Sequence, residues 1–163
     1  MITIPATDYH HFISAKFQEL YAQDALIIRS PGRINLIGEH LDYNLGYVLP
    51  AAINKAIWLG IQRRDDQAIS IHSLDYDAHY QTGLHSIFPS GKLWPDYILG
   101  VVEQIQKKHQ LKNGFNIVFG GDIPPGAGLS SSAALECATA FALNELFELG
   151  YERMDIAAIG QAA

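Results

Sequence analysis

The chain has 163 residues, of which 48% are apolar and 17% charged, and its formal net charge is −6. That length suffices for one domain with a real core, burying roughly 68–70% of its unfolded surface, and the apolar content excludes a disordered chain. The acidic balance argues against nucleic acid as a main partner, and no apolar run is long enough to span a bilayer, so neither nucleic acid nor membrane is expected as a partner. The charge is unevenly spread: from Asn113 to Ala163 there are six acids and one base, Arg153. A phosphate bound in that half would have to be held without lysine. The single cysteine, Cys137, excludes an intrachain disulfide, and no N-x-S/T sequon occurs. The opening MITIPATDYHHF lacks a basic stretch followed by an apolar run, so no signal peptide is expected and the cytoplasm is the expected compartment.

In chain order, Asp8–Ala22 reads as an amphipathic helix with Phe12, Ile13, Phe17, Leu20 and Tyr21 apolar. Ala25–Arg29 reads as a short strand stopped by Ser30-Pro31-Gly32. Tyr47–Ile53 and Ala56–Gln62 are two apolar runs of strand length. The charged tip Arg63–Asp66 then predicts a hairpin turn. In Ala68–Leu74, Ile69 and Ile71 alternate with Ser70 and His72, which predicts a half-buried strand. Trp94–His109 carries apolar residues at Trp94, Tyr97, Ile98, Val101, Val102 and Ile105, a helical period, with Lys107 and Lys108 suited to its C-terminal end. Phe115–Phe119 reads as a strand and Gly120–Leu129 as a loop. Ser130–Leu149 reads as a helix with Gly150 as its C-cap. A last helix opens at Asp155 and runs apolar to Ala163, so this chain is expected to be the N-terminal portion of a larger protein. Strands followed by packed helices define an α+β class. The seven histidines show no H-x-x-x-H pair; His10, His11, His72, His79, His85 and His109 are expected in solvent, and Cys137 as a buried structural thiol.

Two segments carry chemistry. Pro31–Tyr43, PGRINLIGEHLDY, packs Arg33, Asn35, Glu39, His40, Asp42 and Tyr43 into eleven residues, with Leu36, Ile37 and Leu41 between them as expected core anchors. Anchored polar groups must face each other or a polar ligand, because burial without partners is costly. The segment is therefore a candidate sugar cradle. A surface turn with Arg33 paired to Glu39 or Asp42 is the structural alternative.

The second segment is Gly120–Ala134, GGDIPPGAGLSSSAA, between a strand and a helix. Gly126 and Gly128 permit positive φ and close backbone approach to a ligand. Ser130, Ser131 and Ser132 then meet the free N–H groups of a helix start, which bind phosphate through donors and dipole without lysine. A serine hydroxyl there can also ligate the Mg²⁺ of a nucleotide. A plain serine N-cap is the alternative, and the two glycines and the loop's length weigh against it. A Walker A loop is excluded because the only Gly-Lys pair, Gly91-Lys92, precedes Leu93. A nucleophile elbow is excluded because Gly128-Leu129-Ser130 continues with Ser131-Ser132.

Together the segments are far more specific. PGRINLIGEHLDYNLGYVLP resembles the signature of galactokinases, and PPGAGLSSSAA resembles the phosphate loop of the wider GHMP family of galacto-, homoserine, mevalonate and phosphomevalonate kinases. WPDYILGVV, from Trp94 to Val102, is also similar to a galactokinase segment. The resemblance covers essentially the whole chain. It implies the N-terminal domain of the GHMP kinase fold, a mixed sheet packed with helices, and ATP-dependent phosphorylation of galactose at C1, with ATP, Mg²⁺ and galactose as ligands. It implies that Glu39, His40 and Asp42 bind sugar hydroxyls. Arg33 would stabilise the transferring phosphate as the catalytic cation. Gly126, Gly128, Ser130 and Ser131 would wrap the ATP phosphates, Ser132 would bind Mg²⁺, and Trp94 and Tyr97 would line the adenine pocket. Asp122 receives no role. The family's catalytic aspartate lies in a downstream C-G-I-M-D-Q-like segment that this sequence does not contain. A missing C-terminal half is thus the expected partner, and 1–163 alone is expected to be weak or inactive. The alternatives are a non-catalytic galactose or ATP sensor of the same fold, and a sibling kinase acting on N-acetylgalactosamine or mevalonate.

Overall fold

The computed structural model describes residues 8–38, 41, 44, 46–124 and 126–163. Its elements are α1 (Tyr9–Tyr21), β1 (Leu26–Ile37), β2 (Leu49–Arg63), β3 (Ala68–Ser73), β4 (Ala78–Gly83), α2 (Leu93–Gln106), β5 (Phe115–Gly121), α3 (Ser131–Phe147) and α4 (Arg153–Ala162). The strands form one mixed sheet in the order β1-β2-β5-β3-β4. All neighbours are antiparallel except β3 and β5, which run parallel.

The sheet separates two apolar layers. On one face Leu59, Ile61, Ile69, Ile71, Phe115 and Ile117 meet Ile98, Val102 and Ile105 of α2 and Ala138 and Leu143 of α3, all at most 1% exposed. Each fully buried side chain of this size contributes about 1.5–3 kcal/mol. On the other face α1 packs Ile13 and Phe17 onto Val118, with Ile27 and Trp58 beside them. Gly60 is the contact point there, since a Cβ would stand 2.8 Å from Ile13 Cγ2.

Several sequence expectations are corrected. The strand beginning at Leu26 does not stop at Ser30-Pro31-Gly32 but runs to Ile37, with register shifts between Pro31 and Arg33 and between Asn35 and Ile37. β1 is an edge strand, where a proline without N–H and a bulge are both tolerated. The two apolar runs after Tyr47 form one strand, β2. Arg63–Asp66 is not a hairpin turn, because β5 lies between β2 and β3. That connection is instead held by Arg64, which donates to both Asp66 carboxylate oxygens (2.6 and 2.7 Å) and to Asn116 Oδ1 (2.7 Å).

β3 is buried on both faces rather than one, so Ser70 and His72 are not in solvent. Tyr21 of α1 and His79 of the neighbouring β4 close over Ser70, with Tyr21 Oη and His79 Nε2 each 2.9 Å from Ser70 Oγ. α3 ends at Phe147 with Glu148, not Gly150, in the left-handed C-cap conformation, and the Glu148 N–H donates to the Asn144 carbonyl. α4 begins two residues before Asp155, with a capping box between Glu152 and Asp155. No helix among the described residues is long and apolar enough to cross a membrane.

Candidate functional site

The two chemical segments meet. The Arg33 N–H donates to the Leu129 carbonyl at 3.2 Å, which joins β1 to the end of the glycine-rich loop. Gly32 makes that approach possible: a Cβ there would stand 2.9 Å from Leu129 O, 3.1 Å from Ile123 Cδ1 and 3.2 Å from Ile53 Cδ1. Arg33 itself is exposed, so its guanidinium is available at the junction.

The anchoring of the first segment differs from expectation. Leu36, Ile37 and Leu41 are 59%, 69% and 45% exposed, so they anchor nothing among the described residues. Buried Gly32 and half-buried Ile34 hold the strand instead. Asn35 Oδ1 is buried with no hydrogen-bond partner among the described residues. Glu39, His40 and Asp42, the expected sugar contacts, and Tyr43 lie outside the described residues.

The second segment is fastened at its entrance as well. Gly120 and Gly121 belong to β5, not to the loop. The Asp122 carboxylate accepts the Ala56 N–H at 2.8 Å, while the Asp122 N–H donates to Ala56 O at 3.2 Å. Asp122, without a role from the sequence, thus ties the loop's entry to β2. Lys55 also reaches it, with Nζ 3.3 Å from Asp122 O and 3.6 Å from Oδ2. The expectation of a lysine-free loop therefore holds for its own half of the chain but not for its surroundings in space. A single apolar strand with one lysine offered no signal for this.

Between the fastened ends the loop is open. Gly126 and Gly128 have φ of +72° and +69°, with nothing within 4 Å of where a Cβ would stand. Ser130 is left-handed (φ 59°, ψ 45°) rather than extended, and its side chain makes no cap hydrogen bond to α3. A serine N-cap is usually extended and bonds the helix start. The plain capping alternative is therefore not what the structure holds. The first N–H groups of α3 have no partner within the helix by construction.

Ser131 and Ser132 are half-buried in that first turn. No group of three or more acidic, histidine or cysteine residues able to hold a metal occurs among the described residues. A hydroxyl in that position is of the kind that can ligate the Mg²⁺ of a nucleotide.

Trp94 and Tyr97 stand half-buried near the start of α2. Trp94 packs on Phe119 of β5 (centroids 5.8 Å) and stacks on Tyr76 (6.3 Å, 19° between planes), beside the strand that feeds the loop. Cys137 is half-buried on α3 near Gly160, and burial pushes its thiol up, away from nucleophile chemistry.

This fold and this loop define an α+β domain of the kind that opens the small-molecule kinases of the GHMP fold. A galactokinase galactose-binding signature matches residues 15–63, and the GHMP kinases N terminal domain matches residues 96–163. The Lactococcus lactis galactokinase complexed with galactose superposes with a TM-score of 0.87 at 33% identity, covering 93% of this chain and 41% of that one. The Methanococcus jannaschii mevalonate kinase follows the same fold (TM-score 0.73, 24% identity, 84% of this chain and 45% of that). So does the Streptococcus pneumoniae phosphomevalonate kinase in complex with phosphomevalonate and AMPPNP (TM-score 0.63, 16% identity, 83% and 41%). The chain belongs to the GHMP kinase family, and residues 15–63 match its galactokinase signature. It spans less than half the length of each of these relatives.

Proposed function

We propose that residues 1–163 form the sugar- and nucleotide-binding N-terminal domain of an ATP-dependent galactose 1-kinase. The reading is supported above all by the Arg33–Leu129 hydrogen bond, which joins the candidate sugar segment to the end of the glycine-rich loop. In it, Glu39, His40 and Asp42 bind galactose hydroxyls. Carboxylates suit vicinal hydroxyls, and a sugar with one hydroxyl misplaced leaves a polar group unpaired. The open amides of Gly126 and Gly128 and the start of α3 at Ser130 and Ser131 hold the ATP phosphates. Trp94 and Tyr97 flank the base.

The Ser132 hydroxyl would hold a Mg²⁺ that arrives with the nucleotide, and that ion would supply neutralisation of the phosphate charge. Arg33 lies where charge develops as the C1 oxygen bonds to the γ-phosphorus and the bond to the β-phosphate oxygen breaks, giving galactose 1-phosphate and ADP. The family's catalytic aspartate comes from a C-terminal domain outside this chain, so the chain binds both substrates and turns over poorly.

Calorimetry with galactose and with MgAMPPNP separately, followed by a coupled assay, tests this. Both ligands are expected to bind. Glucose, epimeric at C4, should lose one charged hydrogen bond, about 1.5–3 kcal/mol, or roughly 10- to 150-fold in affinity. Absence of galactose binding, or preference for another alcohol, overturns the sugar assignment. Full turnover by 1–163 overturns the division of labour.

A further inference from the structure

Gly121 is the last residue of β5 before the loop. β3 pairs with β5 only as far as Ser73 opposite Phe119, so Gly121 extends two residues past that neighbour. In a strand, residues two apart turn their polar groups to the same side. Phe119 gives its carbonyl to the Leu74 N–H on the β3 side, so Gly121 turns both its groups to a side where no strand remains.

Two side chains take them. Tyr9 Oη–H, from the first turn of α1, donates to the Gly121 carbonyl at 2.8 Å. The Gly121 N–H donates to Asp75 Oδ2 at 3.1 Å, from the turn between β3 and β4. Tyr9 is 4% exposed, and a buried phenol needs such a partner.

The fit is close on every side. A Cβ on Gly120 would stand 3.1 Å from Leu74 Cβ, 3.2 Å from Asp75 Oδ1 and 3.4 Å from Tyr9 Cε1. A Cβ on Gly121 would stand 2.5 Å from Ala56 O. Asp75 keeps contact with solvent as a residue, but its carboxyl sits against the glycine pair. Burial pushes that carboxyl up to about 6, opposed by the Gly121 N–H, and burial with the nearby Asp75 and Asp122 pushes the Tyr9 phenol up to about 12. An acid is thus kept where the fold resists its charge, and it accepts the N–H of the peptide that starts the loop.

We propose that Tyr9 and Asp75 are positioning residues for the phosphate loop, holding the Gly121 peptide from α1 and from the β3–β4 turn and so setting where the loop's amides point. Helix α1 is thereby coupled to the nucleotide. The proposal rests on the loop's being the nucleotide site.

The test uses the whole chain carrying Tyr9→Phe, Asp75→Ala or Asp75→Asn. Three readouts apply: amide hydrogen exchange over residues 121–134 without nucleotide, the Kd for MgAMPPNP, and the thermal midpoint. Tyr9→Phe and Asp75→Ala should each raise exchange in the loop and weaken MgAMPPNP about 5- to 20-fold. Asp75→Asn keeps an acceptor for the Gly121 N–H and should restore both to within about twofold of wild type. A purely structural role would move the midpoint and the exchange of the whole sheet together, with no rescue of nucleotide affinity; that result overturns the proposal. So does unchanged loop exchange in Tyr9→Phe. If wild type binds no MgAMPPNP, the nucleotide reading falls, and loop exchange alone decides the clamp. Should Asp75→Ala not fold, Tyr9→Phe and Asp75→Asn decide it.

Discussion

Gly32→Ala tests whether the sugar segment and the phosphate loop are one site. Gly32 is not in the left-handed region, so an alanine meets no backbone penalty and the whole effect is steric. Its methyl would stand 2.9 Å from Leu129 O, a main-chain atom that cannot rotate away, while Ile123 Cδ1 and Ile53 Cδ1 are side-chain ends that can. Relief to an ordinary contact moves the loop by about half an ångström. The Arg33 N–H to Leu129 O bond, already 3.2 Å, then lengthens beyond hydrogen-bond range. Overpacking costs about 1–3 kcal/mol and the lost bond about 0.5–1.5 kcal/mol, so the variant should be about 2–4 kcal/mol less stable. With a urea slope of about 2 kcal/mol per molar, mid-range for a small domain, the unfolding midpoint should fall by roughly 1–2 M. Galactose and MgAMPPNP affinities should both drop, because the junction serves both. A midpoint within about 0.3 M of wild type, with both affinities intact, would refute the reasoning.

Three further outcomes are expected. Gly126→Ala meets open space but a φ of +72°, so its cost is backbone strain, about 1–2 kcal/mol; calorimetry with MgAMPPNP should show weakened binding without the steric loss of Gly32→Ala. Phe115→Ala empties a fully buried position between the sheet and α3 and should cost about 3–5 kcal/mol in denaturant unfolding. Two acids should move stability in opposite directions with pH. The Asp75 carboxyl, near 6 in the fold against an ordinary 3.8, holds a proton the unfolded chain has released, so its contribution falls as pH rises from 3.8 to about 6. Asp66, held down to about 2 mainly by the hydrogen bond from Arg64, contributes stability above 3.8 that is lost as pH falls toward 2. Thermal midpoints of Asp75→Asn and Asp66→Asn against wild type across pH 2–7 should each flatten one of these slopes and leave the other.

The periodic elements were legible in advance. α2 carries its apolar residues at helical spacing, and Phe115–Phe119 is an unbroken apolar run, so local pattern decided both. Neighbours in sequence misled where the sheet inserts a distant strand. Arg63–Asp66 looks like a hairpin tip, and nothing local shows that β5 from fifty residues on comes between its flanking strands. The alternation of Ser70 and His72 with Ile69 and Ile71 predicts one wet face, but Tyr21 of α1 closes over Ser70 there, and that is a tertiary fact. Within the candidate site, Gly126, Gly128 and Ser130–Ser132 were visible as a motif. Tyr9, Lys55, Asp75 and Asp122 were not, because each acts on a backbone group far away in sequence.

By itself, the sequence determined which segments could bind phosphate and which could bind a sugar, because glycine spacing, serine placement and acid density are local chemistry. It also determined the α+β class through hydrophobic period. Only the tertiary structure decided that the two segments meet, at Arg33 and Leu129. That depends on Gly32 lying bare against Leu129, where a missing Cβ lets two main chains from opposite ends of the domain come within a hydrogen bond of each other.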